Sequence, residues 1–262
     1  MILTINIENT NTVIGCIEDK QFLFVESLST SVMGTEIEYA IRIKSIFEFY
    51  QLDVAKVKGS IISSVVPQIT SVMQGAIKRL VATNMEQETL VIGPGVKTGL
   101  NIMVDNPAQV GSDLVANAVA GIAKYEAPML IVDMGTATTI SVINEKKQYI
   151  GGMIIPGIRV ASASLSNEAA QLPKVGIGKP KRVIGTNTID CMKSGLVYGT
   201  ASMIDGAIRR IEKEFGKPIK TIVATGENIK HILPHCERKM CLDETLLLDG
   251  LRIIYERNVK SH

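Results

Sequence analysis

The chain has 262 residues and a mass of 28.4 kDa, enough for one large domain or two of ordinary size, each with its own core. Apolar residues make up 46% and charged residues 21%, which excludes an intrinsically disordered or fibrous chain. Lys and Arg total 28 against 26 Asp and Glu, and a net charge of +2 argues against a nucleic acid or an anionic membrane as partner.

From the N-terminus, Ile2 to Ser27 reads as three short strands, ILTINI, TVIGCI and FLFVES, with Glu18-Asp19-Lys20-Gln21 turning between the last two, most simply as an antiparallel meander. MILTINIEN lacks the basic flank of a secretion signal, so a cytoplasmic protein is expected. Thr35, with Glu38 three residues on, predicts a capped helix over EIEYAIRIKSIFEFY. A buried-type strand from Ser60 to Val66 follows, and Pro67 opens a second helix through about Ala82. Gly111-Ser112-Asp113 then leads into LVANAVAGIAKYE, which puts Asp113 in or near a first helical turn, where the helix N-terminus favours its ionised form. The apolar stretch Leu114 to Val132 is interrupted by Asn117, Lys124 and Glu126, so no membrane span is expected.

The second half repeats the βββαβα order. Met129 to Asp133, Thr139 to Ile143 and Gln148 to Ile155 read as strands, Ile158 to Ala170 and Ile189 to Phe215 as helices, and Lys220 to Ala224 as a strand. NIENTNTVIGCIEDKQF, from Asn6, lies beside DMGTATTISVINEKKQY, from Asp133, at an offset of 133 − 6 = 127. Thr12 then meets Thr139, Glu18 meets Glu145, Lys20 meets Lys147, Gln21 meets Gln148 and Phe22 meets Tyr149. A duplication of this kind predicts two similar domains, 1–124 and 125–262, facing each other across a cleft that would take the ligand. The turns N-x-E-N-T-N-T and D-x-G-T-A-T-T offer backbone N–H groups and hydroxyls to phosphate oxygens, with a strand-end carboxylate for a hydrated cation. That chemistry is nucleotide-dependent phosphoryl transfer, although either turn alone is also ordinary hairpin chemistry.

Four cysteines, unevenly placed, make a disulfide framework unexpected, and Cys16 and Cys191 read as ordinary buried residues. His231, His235, Cys236 and Cys241 gather zinc-type ligands in one segment, but their spacing matches no familiar zinc motif and fits a surface helix with an irregular loop equally well.

The paired turns resemble the phosphate loops of the actin, hexokinase and Hsp70 superfamily. Together with GPGVKTGL (93–100), DNPAQVGSD (105–113), DMGTATT (133–139), GGMIIPG (151–157), IGTNT (184–188) and GLRIIYERN (250–258), they closely resemble type III pantothenate kinase nearly end to end. The resemblance implies an α/β fold of two ribonuclease H-like, actin-like ATPase domains, each a mixed sheet flanked by helices. It also implies ATP-dependent phosphorylation of pantothenate, the first step toward coenzyme A, by a homodimer using Mg²⁺ and a monovalent cation, K⁺ or NH₄⁺.

Carried over by position, Asn6, Asn9, Thr10, Asn11 and Thr12 would sit at the ATP phosphates, with Thr136, Ala137, Thr138 and Thr139 enclosing them and Asp133 holding the monovalent cation. Gly99, Gly111, Ser112 and Asp113 would lie at pantothenate, with Thr188 reaching in from the partner subunit, and Asp113 would accept the proton of the attacking hydroxyl.

Several ligand-facing positions depart from the family pattern. The first loop, D-x-G-N-T-N-T in the family, has Asn6 and Glu8 where the second repeat keeps Asp133 and Gly135. GADR is here Gly111-Ser112-Asp113-Leu114, an expected arginine is Met103, and the second glycine of ATGG is Glu227. Asn6 loses a charge that would help bind Mg²⁺. Glu8 either restores that charge, since residues i and i+2 of a strand share a face, or places a carboxylate against polyphosphate. The alternatives to an active pantothenate kinase are a non-catalytic paralogue pairing with an active subunit, and a kinase for another small hydroxyl substrate.

Overall fold

In a computed structural model, residues 1–81 and 89–259 are described. The first half contains β1 (Ile2–Ile7), β2 (Asn11–Glu18), β3 (Gln21–Ser29), α1 (Glu36–Phe49), β4 (Gly59–Ser64), α2 (Pro67–Val81), β5 (Leu90–Val91), β6 (Asn101–Ile102) and α3 (Ser112–Lys124). Then come β7 (Met129–Met134), β8 (Ala137–Ile143), β9 (Gln148–Pro156), α4 (Ile158–Glu168), α5 (Thr188–Ser194), α6 (Thr200–Phe215), β10 (Thr221–Thr225), α7 (Ile229–Ile232), β11 (Cys241–Leu242) and α8 (Leu246–Asn258). Ala82, the expected end of the second helix, lies outside the described residues.

Two compact units form. The first takes 1–100, 105–123 and 245–262; the second takes 101–104 and 124–244. In the first unit the sheet order is β3-β2-β1-β4-β5, with the meander antiparallel and β4 parallel to β1. Because β1 is central it reads as a nearly unbroken apolar run, interrupted by the buried Thr4 and Asn6. α1 starts at a complete capping box: the Thr35 hydroxyl accepts from the Glu38 N–H, and the Glu38 carboxylate accepts from the Thr35 N–H at 2.7 Å. Its buried face, Tyr39, Ile43 and Phe47, joins Ile5, Ile14, Ile62, Ile69, Met73 and Ile77 in one core. α8 packs on β1 and β4, and Gly250 lets its backbone approach the Ala116 carbonyl of α3 where a Cβ would collide.

In the second unit the sheet order is β11-β10-β7-β8-β9-β6. β7, β8 and β9 form an antiparallel meander, with β10 parallel to β7 and β11 parallel to β10. The duplication is therefore visible in topology: each meander continues into two parallel strands on the same side. Asn6 and Asp133 occupy the fifth position of β1 and β7, as the offset requires. The next strand slips by one residue, because Asn6 faces Val13 whereas Asp133 faces Thr139, an offset of 139 − 13 = 126. Thr12 thus corresponds to Thr138 rather than Thr139, since the second hairpin turn is one residue shorter. Both meanders carry a bulge at the matching place, between Cys16 and Ile17 and between Val142 and Ile143.

The helix expected from Ile189 to Phe215 runs from Thr188 but widens into a π turn over Gly195–Gly199 before α6, where glycines at both ends remove the side chains that would resist it. It ends at Gly216, left-handed at φ 81°. Cys191, expected to be buried, is exposed on this helix, whereas Cys16 is buried and its thiol is pushed up to about 11 chiefly by desolvation. Among the described residues no helix is long and apolar enough to cross a membrane.

Candidate functional site

In the first unit, the carboxyl ends of β1 and β4 and the start of α3 come together. β1 and β4 run in parallel with Asn6 opposite Ser63 and Ile7 opposite Ser64. Ser112, the first residue of α3, is pinned to them: its Oγ lies 2.9 Å from Ser63 Oγ, accepts from the Ser64 N–H at 3.2 Å and donates to the Ser64 carbonyl at 3.3 Å. Ser64 Oγ in turn accepts from Thr70 at 2.8 Å. This hydroxyl chain carries Asp113, the next residue, to the same end of the sheet as Asn6 and Glu8.

Gly111 leaves room for that arrangement, because a Cβ there would strike Asp113 Oδ1. Burial holds the Asp113 carboxyl above the usual aspartate range, and the N–H groups of Leu114 and of Asp113 itself pull it back only in part. The helix N-terminus acts as expected from the sequence, but desolvation is the larger effect. A desolvated carboxylate is a better proton acceptor for a hydroxyl than a solvated one.

The β1–β2 turn is closed by the Glu8 N–H donating to the Asn11 carbonyl at 2.9 Å, and the Thr30 N–H donates to the Thr10 carbonyl at 2.9 Å. Asn9 and Thr10 are exposed at the tip. Thr12 is buried, with its hydroxyl 2.9 Å from that of Thr30. Asn6 Nδ2 donates to Glu8 Oε1 at 2.8 Å.

Gly99 lies in the 93–100 segment, whose conformation is set by the end of α8. Arg257 donates to the Thr98 carbonyl at 2.8 Å, and Asn258 exchanges two hydrogen bonds of 3.0 Å with the Lys97 backbone. Gly99 has φ 70°, and a Cβ on it would occupy the place of the Arg257 guanidinium. Nothing in GPGVKTGL or GLRIIYERN taken alone pairs the two segments, which lie about 160 residues apart. Ser63, Ser64, Arg257 and Asn258 went unsuspected, because their significance lies in partners 48 to 161 residues away.

In the second unit, Asp133 ends β7 beside the β7–β8 turn, and Thr136, Ala137, Thr138 and Thr139 follow on the turn and the start of β8. The turn packs on the N-terminus of α4, where a Cβ on Gly157 would meet the Gly135 and Thr136 carbonyls. Thr138 is buried. Gly226, at φ 93°, follows β10, and a Cβ there would lie 2.5 Å from both Asp133 Oδ1 and the Met134 nitrogen.

Glu227 forms an ion pair with Arg159 at 3.4 Å, and Asn228 accepts from Arg159 at 3.2 Å. Arg159 and Asn228 also border a cavity of about 480 Å³, shared with Ser162, Lys174, Ile177 and His231. Thr188 is exposed in the first turn of α5, whose N-cap Asn187 accepts from the Asp190 N–H at 2.9 Å. Met103 is exposed in the second unit and Leu114 half-buried in the first, so neither position offers a guanidinium.

Among the described residues no three His, Cys, Asp or Glu side chains are grouped as metal ligands. His235 packs edge-on against Tyr198 at 5.0 Å, and the Cys236 thiol is pushed up to about 12 by burial and then by Asp205. Asp205 is itself buried and accepts from the Glu237 and Arg238 N–H groups at 2.8 and 3.1 Å, which shapes the segment between α7 and β11.

The sequence matches the family described as type III pantothenate kinase over residues 2–210. The type III pantothenate kinases of Halalkalibacterium halodurans and Exiguobacterium sp. are 44% and 43% identical to it, each aligned over 99% of this chain and 100% of the relative. Among solved structures, the activator of 2-hydroxyisocaproyl-CoA dehydratase from Clostridium difficile, with bound ADPNP, aligns at a TM-score of 0.54 and 7% identity, covering 100% of this chain and 98% of that one. The likeness is one of fold, the actin-like ATPase architecture.

Proposed function

The chain belongs to the type III pantothenate kinase family, a kinase that uses ATP to phosphorylate pantothenate in coenzyme A biosynthesis, and from that premise we propose how its own residues serve the reaction. The observation that carries the reading is the Ser63–Ser112–Ser64 junction, which fixes Asp113 at the carboxyl end of β1 and β4. Asp113 accepts the proton of the pantothenate hydroxyl and orients its oxygen, and its desolvation suits it to that task. Gly99, Gly111 and Ser112 line the pantothenate side.

Asn9, Thr10, Asn11 and Thr12 offer N–H groups and hydroxyls to ATP phosphates. Thr136, Ala137, Thr138 and Thr139 do the same from the second hairpin. Asp133, half-buried under Gly226, fits a monovalent cation such as K⁺ or NH₄⁺. Mg²⁺, when bound, would spread the charge of the transferring phosphoryl group. We propose a homodimer in which Thr188 reaches the partner's site. A largely apolar groove of about 600 Å³ lined by Ile155, Leu165, Met192, Leu196 and Met203, with Ile154 76% exposed on β9, supports it.

The test is phosphate transfer from ATP to pantothenate with Mg²⁺, with and without K⁺, together with light scattering. Wild type transfers phosphate as a dimer. A wild-type protein that neither phosphorylates pantothenate nor gains thermal stability from ATP and pantothenate would refute the reading.

A further inference from the structure

Asn6 is 3% exposed, and its Oδ1 has no hydrogen-bond partner among the described residues. Its orientation is forced: the Glu8 carboxylate can only accept, so the amide turns Nδ2 toward Glu8 Oε1 at 2.8 Å and points Oδ1 the other way. The hydroxyl beside it on the neighbouring strand, that of Ser63, is already engaged with Ser112. An oriented, buried acceptor left without a donor is rare, and it is the expected state of an oxygen that meets a cation.

We propose that Asn6 Oδ1 and the Glu8 carboxylate together form the protein's half of the divalent-cation site, the negative charge having moved two residues along the chain from position 6 to position 8. This rests on the kinase reading and deepens it. The two side chains share a face of the strand end, and their mutual hydrogen bond holds them in place before any cation arrives. A magnesium-type cation needs little more from the protein, because it keeps several waters and takes its remaining oxygens from substrate phosphates. One carboxylate and one amide oxygen meet that need without the cluster of acidic side chains that a site made wholly of protein would require.

The same geometry answers why a carboxylate is tolerated beside polyphosphate. Glu8 is turned toward Asn6, and its backbone N–H closes the hairpin onto the Asn11 carbonyl. The N–H groups left to the phosphates are then those further round the turn.

The experiment titrates Mn²⁺, followed by electron paramagnetic resonance, into the full chain with a non-hydrolysable ATP analogue, for wild type, Glu8→Gln and the double variant Asn6→Asp with Glu8→Gly. Glu8→Gln keeps an acceptor for Asn6 and so the local fold, which a melting curve checks. It weakens Mn²⁺ binding by at least the roughly tenfold that loss of even an outer-shell partner costs a metal site. The double variant, which returns the charge to position 6, restores affinity to within about threefold of wild type. Unchanged or tighter Mn²⁺ binding by Glu8→Gln overturns the proposal, as does failure of the double variant to recover. Wild type that binds Mn²⁺ as described yet transfers no phosphate to pantothenate would refute the kinase reading and leave the cation site standing. Transfer with a Glu8-independent Mn²⁺ affinity would do the reverse.

Discussion

Replacing Gly226 by alanine tests how tightly the end of β10 is fitted to Asp133. Two costs follow from the structure. At φ 93° an L side chain is strained, by about 1–2 kcal/mol. The new Cβ would also stand 2.5 Å from Asp133 Oδ1 and the Met134 nitrogen and 2.7 Å from the Met134 carbonyl carbon; the last two are strand backbone that yields only by moving β7, an overpacking cost of about 1–3 kcal/mol. Together these give roughly 2–5 kcal/mol, or a fall in melting temperature of roughly 5–15 °C for a protein of this size. Circular dichroism melting measures it. The control is Glu227→Gln, one residue on, which removes the charge of an ion pair to a largely exposed arginine, keeps an acceptor for the Asn228 amide, and costs about 0–1 kcal/mol. Because the intruding methyl also presses on the Asp133 carboxylate, Gly226→Ala lowers any stimulation of activity by K⁺ as well. A variant melting within about 1 °C of wild type would refute the close-approach argument, since the strain and collision together cannot cost so little.

Asp113→Asn lowers phosphate transfer by roughly 10²–10⁴-fold, the range for loss of a positioned general base. The same change stabilises the fold at neutral pH. The folded-state value of Asp113 is raised, so its favourable contribution is present below the ordinary value of 3.8 and is lost as pH rises through the folded value. Melting curves at pH 7 and near pH 4 should therefore show a gain at pH 7 that shrinks toward pH 4, and no such pH dependence would refute the burial argument. Asp205→Ala removes the buried acceptor of the Glu237 and Arg238 N–H groups and costs about 3 kcal/mol in urea unfolding, whereas Asp205→Asn, which keeps one acceptor, costs less.

What the chain alone determined was whatever is decided by neighbours three or four residues apart. The Thr35 capping box, the opening of α2 at Pro67, the meander with its Glu18–Gln21 turn and the position of Asp113 in the first turn of α3 all follow from local hydrogen bonding and periodicity. The internal offset also placed Asn6 and Asp133 correctly, because duplicated strands keep their register. It failed by one residue in β2 and β8, where turn length, not residue identity, sets the pairing.

Only the tertiary structure decided the rest. It joined Ser112 to Ser63, and Arg257 and Asn258 to the 97–98 backbone, and it made desolvation outweigh the helix terminus at Asp113. The hydrogen bonds depend on which residues, 49 or more apart in sequence, the fold brings side by side, and the raised Asp113 value depends on which distant groups exclude water from it. Hydration is lost through packing across tens or hundreds of residues, and local sequence carries no measure of it.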